Sequence, residues 1–295
     1  MTVHMPKSMQ MLQSGRLFAQ RLALKAFRHL NPGDIQIAHH FTHERIRIHA
    51  FAHRGYWFRG RNRERDTMAL YSRLIDPGSV VFDVGGHIGY TALYFASLVG
   101  PLGRVLVAEP APNNLPYLRY NIRAHPTISL VEIGIGDKTE PVPFFVETLT
   151  GQNSSFSRAY TSERNAARSY GGSDPISEIQ VQMKTLDAFV ADVGVTPDFV
   201  KIDVEGFEYS VLTGASSLLQ DKRPMLMIEI RDSNRDRCFQ HLRELGYVLI
   251  SPELRLLDSA NRSQMNTFCL HSEEHRDRLA SLGYNRSTGS DLLRS

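Results

Sequence analysis

Short apolar runs alternate with longer segments of helical spacing along most of the chain. The runs are four to six residues long and rich in Val, Ile and Leu, which is typical of buried strands. Strand and helix signals that alternate in this way predict an α/β fold with a mostly parallel sheet and helices on both faces. The predicted strands cover 80–84, 104–108, 128–133, 181–184, 198–202, 225–230, 247–250 and 265–270. The predicted helices cover 61–76, 89–99, 112–124, a short segment from Thr185, 207–219 and 235–245.

Residues 1–60 precede this pattern and predict a separate N-terminal extension. The first part has helical spacing, and Asn31-Pro32-Gly33 ends the predicted helix. The residues after it alternate in the manner of short antiparallel strands. Five histidines fall here without acidic or cysteine partners at ligand spacing, so we interpret them as surface or ordinary strand residues: His39, His40, His43, His49 and His53.

Residues 61–275 form the predicted main domain, and 276–295 form a polar C-terminal tail that we expect to be loose. Within the main domain, 151–177 is rich in Ser, Gly, Arg and Tyr and has little periodicity. This segment predicts a long loop or lid. We expect it either to close over a substrate or to be a flexible insertion without contact.

Composition and charge restrict the function classes. The chain has 295 residues, of which 42% are hydrophobic, and a net charge of +3, which does not indicate a dedicated nucleic-acid binder. Its two cysteines show no ligand spacing, which favours a reducing, cytoplasmic location and argues against a zinc site. No apolar run is long enough to span a membrane. The N-terminal helix is basic, which predicts contact with an anionic membrane or a partner. The alternatives are packing on its own domain and a frayed terminus.

The most specific local motif is a glycine turn directly after the strand 80–84. Asp83, Gly85 and Gly89 give the spacing Asp-x-Gly-x-x-x-Gly, and Gly86 is a further residue without a Cβ. Glycines allow a tight turn and the close approach of a ligand, and ligands of open α/β sheets bind at the strand ends. The Asp83 carboxylate would repel a pyrophosphate but attract the ammonium and sulfonium groups of S-adenosylmethionine. The motif therefore favours this cofactor over NAD.

A second acid supports a nucleoside ligand. Glu109 follows the strand 104–108, which places it about 20 residues beyond the glycine turn. An acid at this position can accept hydrogen bonds from ribose hydroxyls, although NAD enzymes use the same device. Glu109 therefore indicates a nucleoside without choosing between the two cofactors.

Three acids surround the end of the strand 198–202, namely Asp203, Glu205 and Glu208. On an extended segment Asp203 and Glu205 share a face, and both are candidate catalytic acids. Glu208 falls in the first turn of the next helix, where we expect it to act as a capping acid. Lys201 either pairs with one of these acids or has its amine at the rim.

Glu229 lies in the apolar run 225–230, where an unpaired carboxylate would be costly to bury. It either faces the ligand crevice or pairs with a cation such as Arg231 or Lys201. We include it among the candidate catalytic acids.

Taken in order, these motifs resemble the FkbM family of S-adenosylmethionine-dependent methyltransferases. The resemblance covers about half of the chain, roughly residues 79–231. It implies a Rossmann-like class I methyltransferase fold with a seven-stranded sheet, and usually O-methylation of a small metabolite. The matching segments are 82–89, Glu109-Pro110 with Asn113 and Asn114, 134–137, Thr185-Leu186-Asp187, 201–208 and 227–230.

The resemblance also implies roles for individual residues. Asp83 and the glycines would line the methionine end of the cofactor, Glu109 would hold the ribose, Asp137 would lie near the adenine, and Asp203 would lie beside the transferred methyl group. The chain departs from the common pattern at His87, where the family often has Asn, and at Arg231, where it commonly has His. The implied cofactor-binding residues are Asp83, Gly85, Gly86, Gly89, Glu109, Asn114, Asp137 and Asp203.

The resulting hypothesis is methyl transfer from S-adenosylmethionine to a hydroxyl of a sugar, glycolipid or secondary metabolite, so the expected partner is a small-molecule or glycan acceptor. Asp203 is the first candidate for the general base, and Glu205 and Glu229 are the others. No resident metal is predicted, although a divalent metal bridging Asp203 and a neighbouring acid to a diol is an alternative. N-methylation, an NAD-dependent oxidoreductase and a non-catalytic docking module are further alternatives.

Overall fold

A computed structural model of the protein describes residues 33–58, 60, 64–147, 153–168, 176–231, 233–258, 260–261 and 264–284. The predicted basic helix before Asn31 lies outside the described residues, so its contact with a membrane stays a prediction. The strands are β1 Asp34–Ala38, β2 Arg45–His49, β3 Val80–Val84, β4 Arg104–Ala108, β5 Ile128–Val131, β6 Gly134–Gly136, β7 Pro141–Glu147, β8 Ile176–Thr185, β9 Phe199–Ile202, β10 Met225–Glu229, β11 Tyr247–Ile250 and β12 Asn266–His271. The helices are α1 Arg54–Phe58, α2 Arg65–Leu74, α3 Tyr90–Val99, α4 Leu115–Ile122, α5 Arg158–Arg168, α6 Leu186–Val193, α7 Glu208–Thr213, α8 Arg235–Glu244 and α9 Arg276–Ser281.

The predicted main sheet is confirmed. Its seven strands have the order β11-β12-β10-β9-β3-β4-β5. The five strands from β10 to β5 are parallel, and β12 pairs antiparallel with both β10 and β11. From β3 the chain adds β4 and β5 on one side of the sheet, and β9 and β10 lie on the other side, so the strand order reverses between β3 and β9. Open α/β sheets bind ligands in the crevice at the strand ends beside such a reversal.

The centre of the sheet is buried on both faces. Phe82 and Val84 of β3 belong to the core on one face, whereas Val81 belongs to the core on the other. Near-continuous apolar runs are therefore required in the central strands, because neither face meets water. Ile46 and Ile48 of the N-terminal hairpin are buried in the same core cluster as Val81. The hairpin thus shares its core with the main domain.

The prediction of a long loop at 151–177 is wrong for two parts of this segment. Residues Arg158–Arg168 form α5, and from Ile176 onward the chain belongs to β8. Strand β8 pairs with β6 and with the unpredicted β7 in a second, three-stranded sheet. Strand β7 begins with Pro141-Val142-Pro143, a pattern that argues against a strand, and its position at the sheet edge explains why prolines are tolerated there.

Two further predictions need correction. The helix predicted at 207–219 is divided, with α7 ending before Gly214 and a π-helical turn at Leu218–Lys222. A Cβ on Gly214 would lie 1.9 Å from the carbonyl oxygen of Gly136, so this residue is fixed by close backbone packing. The prediction of a loose tail at 276–295 is wrong for its first part, because α9 lies there and Leu279 is buried in the core. Residues 285–295 lie outside the described residues.

The histidines of the N-terminal segment differ in burial: His43 is exposed and His49 ends strand β2, as expected, whereas His39 and His53 are buried. His39 is completely buried and its Nε2 lies 3.0 Å from the carbonyl oxygen of Tyr90. His53 is also buried, and burial lowers the pKa of each of these two histidines to about 4. Within the described part of the chain no helix is both long and apolar enough to cross a membrane.

Candidate active site

The candidate site lies where β3, β9 and β10 end side by side. In the parallel register Asp83 of β3 is opposite Lys201 of β9, which is opposite Met227 of β10. Because the strands are parallel, the residues that follow them share one edge of the sheet. Asp203, Glu205 and Glu229 are thereby brought together, and each offers one carboxylate oxygen within 4.8 Å of the others.

Asp83 and Lys201 form a buried ion pair at the centre of this edge. The Lys201 Nζ lies 3.0 Å from Asp83 Oδ1 and donates to the carbonyl oxygen of Gly85 at 2.7 Å. It also lies 3.7 Å from Asp203 Oδ2. Burial alone would lower the pKa of Lys201, but the two aspartates more than offset burial and raise it above its ordinary value. Of the two arrangements expected for Lys201, the structure has the paired one.

Glu109 ties the glycine turn to the start of α4. Its Oε2 accepts from the backbone N–H of His87 at 2.7 Å, and its Oε1 accepts from the backbone N–H of Ala111 at 2.9 Å. The Asn114 side-chain amide donates to Oε1 at 3.2 Å. Burial raises the pKa of Glu109 to about 7, against the lowering effect of these donors. Asn114 is thus placed beside Glu109, and their predicted contacts with the cofactor stay predictions.

The N-terminal segment reaches the glycine turn through His87. This residue has a left-handed φ of +49°, and its Nδ1 lies 3.1 Å from the hydroxyl oxygen of Tyr56. The His53 ring packs edge-on against the His87 ring at 5.3 Å between centroids. No sequence signal pointed to these contacts, because more than 30 residues separate Tyr56 from His87. The extension therefore buttresses the turn on which the cofactor is expected to bind.

Glu205 and Glu229 share one cation, Arg231. The Arg231 Nη2 lies 2.6 Å from Glu205 Oε2 and 2.6 Å from Glu229 Oε1. Glu229 therefore pairs with Arg231, which was one of its expected arrangements. Burial and the Asp203 charge raise the pKa of Glu205 to about 6, although Arg231 lowers it. Glu205 has a left-handed φ of +51°, so the prediction of an extended segment from Asp203 to Glu205 is wrong. A turn brings the two carboxylates together instead.

Part of the segment predicted as a lid contacts Glu205. The Tyr160 hydroxyl donates to Glu205 Oε2, and the Ser155 hydroxyl donates to the Glu205 carbonyl oxygen at 2.8 Å. The Tyr160 ring lies over Gly206, where an added Cβ would meet it at 2.8 Å. Tyr160 was not predicted from the sequence, since a lone tyrosine in a segment without periodicity gives no signal. The start of α5 thus forms a wall beside the three acids.

Glu208 and Asp137 lie apart from this group. Glu208 is buried, and it accepts from the Gly206 backbone N–H at 2.7 Å and from the Asn234 amide at 2.9 Å, which agrees with its expected role as a capping acid. Asp137 is exposed after β6, on the three-stranded sheet. The structure does not join Asp137 to the acids of the main sheet, so its role near an adenine stays a prediction.

The donor set fits a cationic nucleoside. Four carboxylates converge on the strand ends, and in the described residues Lys201 and Arg231 are the cations paired with them: Asp83, Asp203, Glu205 and Glu229. Asp83 Oδ2 is buried and has no hydrogen-bond partner among the described residues. An excess of carboxylates and an orphaned acceptor suit an ammonium and a sulfonium, whereas they would repel a pyrophosphate. The contacts predicted between S-adenosylmethionine and Asp83, Gly85, Gly86 and Asp203 stay predictions that this charge distribution supports.

The close packing of Gly85 gives a testable expectation. Its φ is +85°, and an added Cβ would lie 1.9 Å from the carbonyl oxygen of Asp203. Gly194 is the control position, because it also has a positive φ, of +66°, but open space around its Cβ position. Gly194→Ala therefore measures the backbone strain alone, which is about 1–2 kcal/mol. We expect Gly85→Ala to lower the free energy of unfolding by on the order of 3 kcal/mol or more in urea titrations. Equal losses in the two variants would contradict this packing.

Comparisons with known proteins identify the family of the chain. The family model described as methyltransferase FkbM domain matches residues 83–249, more than half of the chain. Methyltransferase 1 of Beauveria bassiana is 27% identical over 170 residues, which cover 54% of this chain and 67% of that protein. The AMB antimetabolite synthetase AmbE of Pseudomonas aeruginosa is 27% identical over 228 residues, 65% of this chain, but the chain spans only 11% of AmbE.

A solved structure of similar kind is the methyltransferase FkbM from Methylobacillus flagellatus. It is 17% identical, has a TM-score of 0.44, and the alignment covers 68% of this chain and 50% of that one. The match of the family model and the ordered motifs confirm the predicted family. The chain belongs to the FkbM family of S-adenosylmethionine-dependent methyltransferases.

Proposed function

We propose that the protein transfers the methyl group of S-adenosylmethionine to a hydroxyl oxygen of a small molecule, such as a sugar, a glycolipid or a secondary metabolite. The observation that carries this proposal is the group of three carboxylates, Asp203, Glu205 and Glu229, beside the buried pair of Asp83 and Lys201. In this proposal the pair lies on the cofactor side of the crevice and Glu205 and Glu229 lie on the acceptor side. Asp203, 3.7 Å from Lys201, lies between them beside the transferred methyl group. Several carboxylates at hydrogen-bond distance suit an acceptor with several hydroxyls.

The cofactor supplies an activated methyl group on a sulfonium. The acceptor oxygen would take the methyl group as the carbon–sulfur bond breaks, and a carboxylate of the protein would take the acceptor proton. Asp203 is the first candidate for this base, since it directly follows β9 and its side chain is 31% exposed. In-line geometry accounts for much of the acceleration, because positioning replaces a bimolecular encounter.

Glu205 and Glu229 are placed to orient the acceptor. In the described part of the structure both side-chain contacts of Glu205 go to its Oε2, from Tyr160 and Arg231. The Oε1 atom of Glu205 is left to accept from an acceptor hydroxyl. Glu229 likewise uses Oε1 for Arg231. The two glutamates can thereby bind neighbouring hydroxyls of one acceptor.

The raised pKa of Glu205 predicts a pH dependence. Below its pKa of about 6 the carboxyl is protonated and loses its ion pair with Arg231, so the acceptor is held less well. We expect kcat/KM to rise between about pH 5 and 7, with a midpoint near 6, as Glu205 ionises. Glu205→Gln should remove this rise and leave a lower, flatter profile. A rise that persists unchanged in Glu205→Gln would assign it to another group.

The reaction class is tested with methyl-labelled S-adenosylmethionine and fractionated small-molecule extract. Purified protein should produce a labelled product whose NMR spectrum places the label on oxygen, and the Asp203→Asn protein should not. A label on nitrogen would support the N-methyltransferase alternative instead. A label incorporated equally by both proteins would exclude Asp203 from the mechanism.

A further inference from the structure

The four carboxylates at the strand ends are divided between two cations. Lys201 contacts Asp83 and Asp203, whereas Arg231 contacts Glu205 and Glu229. The Arg231 side chain is 14% exposed, and both glutamates are about as shielded. Charges shielded to this degree interact strongly and are costly to leave unpaired. Arg231 is therefore part of the charge balance of the site.

The Arg231 guanidinium occupies the place that a hard cation would need. Asp203, Glu205 and Glu229 present oxygens within 4.8 Å of one another, which is close to the separation of two ligands on one Ca²⁺ or Mn²⁺ ion. The Nη2 atom already lies 2.6 Å from oxygens of both glutamates, about the length of a calcium–oxygen bond. An ion in that position would collide with the guanidinium and would be repelled by its charge.

Arg231 is also held from its other side. Its Nη1 lies 3.1 Å from the thioether sulfur of Met265. The backbone next to it is fixed, since the Ile230 N–H donates to the Met265 carbonyl oxygen at 3.0 Å. An arginine guanidinium is not deprotonated in proteins, so the group remains charged throughout the working pH range. The positive charge is thus permanent and has a fixed position.

We propose that Arg231 is a built-in counter-ion that replaces a divalent metal among Asp203, Glu205 and Glu229, and that its removal turns these three acids into a metal site. As a positioning residue, it holds Glu205 and Glu229 in place through contacts of 2.6 Å to each while they bind the acceptor. The wild-type protein then works without a divalent metal. This proposal rests on the proposed function, because it describes how the acceptor side of that same site is organised.

The test is titration of the chelator-treated full-length protein with Mn²⁺, followed by electron paramagnetic resonance and calorimetry without either substrate. We expect no specific site in the wild type at millimolar Mn²⁺. Arg231→Met should bind one Mn²⁺ per chain, on the order of tenfold or more tighter than the wild type. The site should be lost again in Arg231→Met/Glu229→Gln. Arg231→Lys is the matched control, since it keeps a positive charge and should bind no Mn²⁺.

Two results of the titration would overturn the proposal. One is a wild-type Mn²⁺ site that Glu229→Gln abolishes. The other is a folded Arg231→Met protein that binds no more Mn²⁺ than the wild type. If Arg231→Met does not fold, the proposal is tested by the wild-type Mn²⁺ titration and by methyl transfer measured with and without EDTA. Chelation should leave the rate of methyl transfer unchanged, and a loss of activity in EDTA would overturn the proposal. Binding of S-adenosylmethionine is measured on the same samples, so failure of the proposed function is seen separately.

Discussion

Replacing Lys201 with methionine is expected to lower the free energy of unfolding by about 3–5 kcal/mol, because it leaves a buried carboxylate without its partner. Asp83 is completely buried, and Lys201 lies 3.0 Å from its Oδ1. Methionine retains much of the volume of the lysine stem, so the loss reports on charge rather than on a cavity. Urea denaturation at pH 8 measures it.

The pH dependence of this loss provides an internal check. Burial raises the pKa of Asp83, and without Lys201 nothing in the pair opposes that rise. The folded variant then binds a proton more readily than the unfolded chain, so its stability increases as the pH falls toward the ordinary pKa of an aspartate. Lys201→Met should therefore be less destabilised at pH 5 than at pH 8. The double variant Lys201→Met/Asp83→Asn should recover part of the loss at pH 8, and no recovery would contradict the pairing.

Asp203→Asn is expected to reduce methyl transfer by on the order of a hundredfold or more, because an amide cannot take the acceptor proton. The change preserves size and keeps the Asp203 backbone N–H, which donates to the Val84 carbonyl oxygen at 3.0 Å. We therefore expect a well-folded protein. Asp192→Asn is the matched control, since Asp192 is an exposed acid on α6 that pairs with Lys184.

Steady-state kinetics with the identified acceptor, or label incorporation with extract, measures this effect. The loss should fall mainly on kcat, since the base acts in the transition state. Full activity in Asp203→Asn would remove Asp203 from the mechanism and transfer the role to Glu205 or Glu229. A comparable loss in Asp192→Asn would show that the measurement reflects general damage to the protein.

The sequence predicted the main sheet well because its signals are local. Continuous apolar runs such as 80–84 and 104–108 have strand length, and glycines or prolines bound them, so the strand ends could be placed closely. The three-stranded sheet was missed in part because Pro141 and Pro143 contradict a strand pattern unless the strand lies at an edge. Which strand lies at an edge is a property of the whole fold, and no local window contains it.

The candidate site divides in the same way. Four acids were predicted because they lie at or directly after the ends of apolar strands, and parallel strands end at a common edge: Asp83, Glu109, Asp203 and Glu229. Their partners could not be read from a pattern. Tyr160 reaches Glu205 across 45 positions, and Arg231 reaches it across 26. Contacts of that separation depend on how loops pack after the sheet has formed, which hydrophobic periodicity does not encode.

Cofactor binding tests the central claim most directly, because every role proposed for the strand-end acids depends on a positively charged methyl donor in their midst. Isothermal titration of the full-length protein should show one S-adenosylmethionine bound per chain, weaker binding in Gly85→Ala, and no binding of NAD. The demethylated product should bind at the same site and compete with the donor. If the folded protein gave no heat with either compound at millimolar concentration, or bound NAD instead, the account would be contradicted.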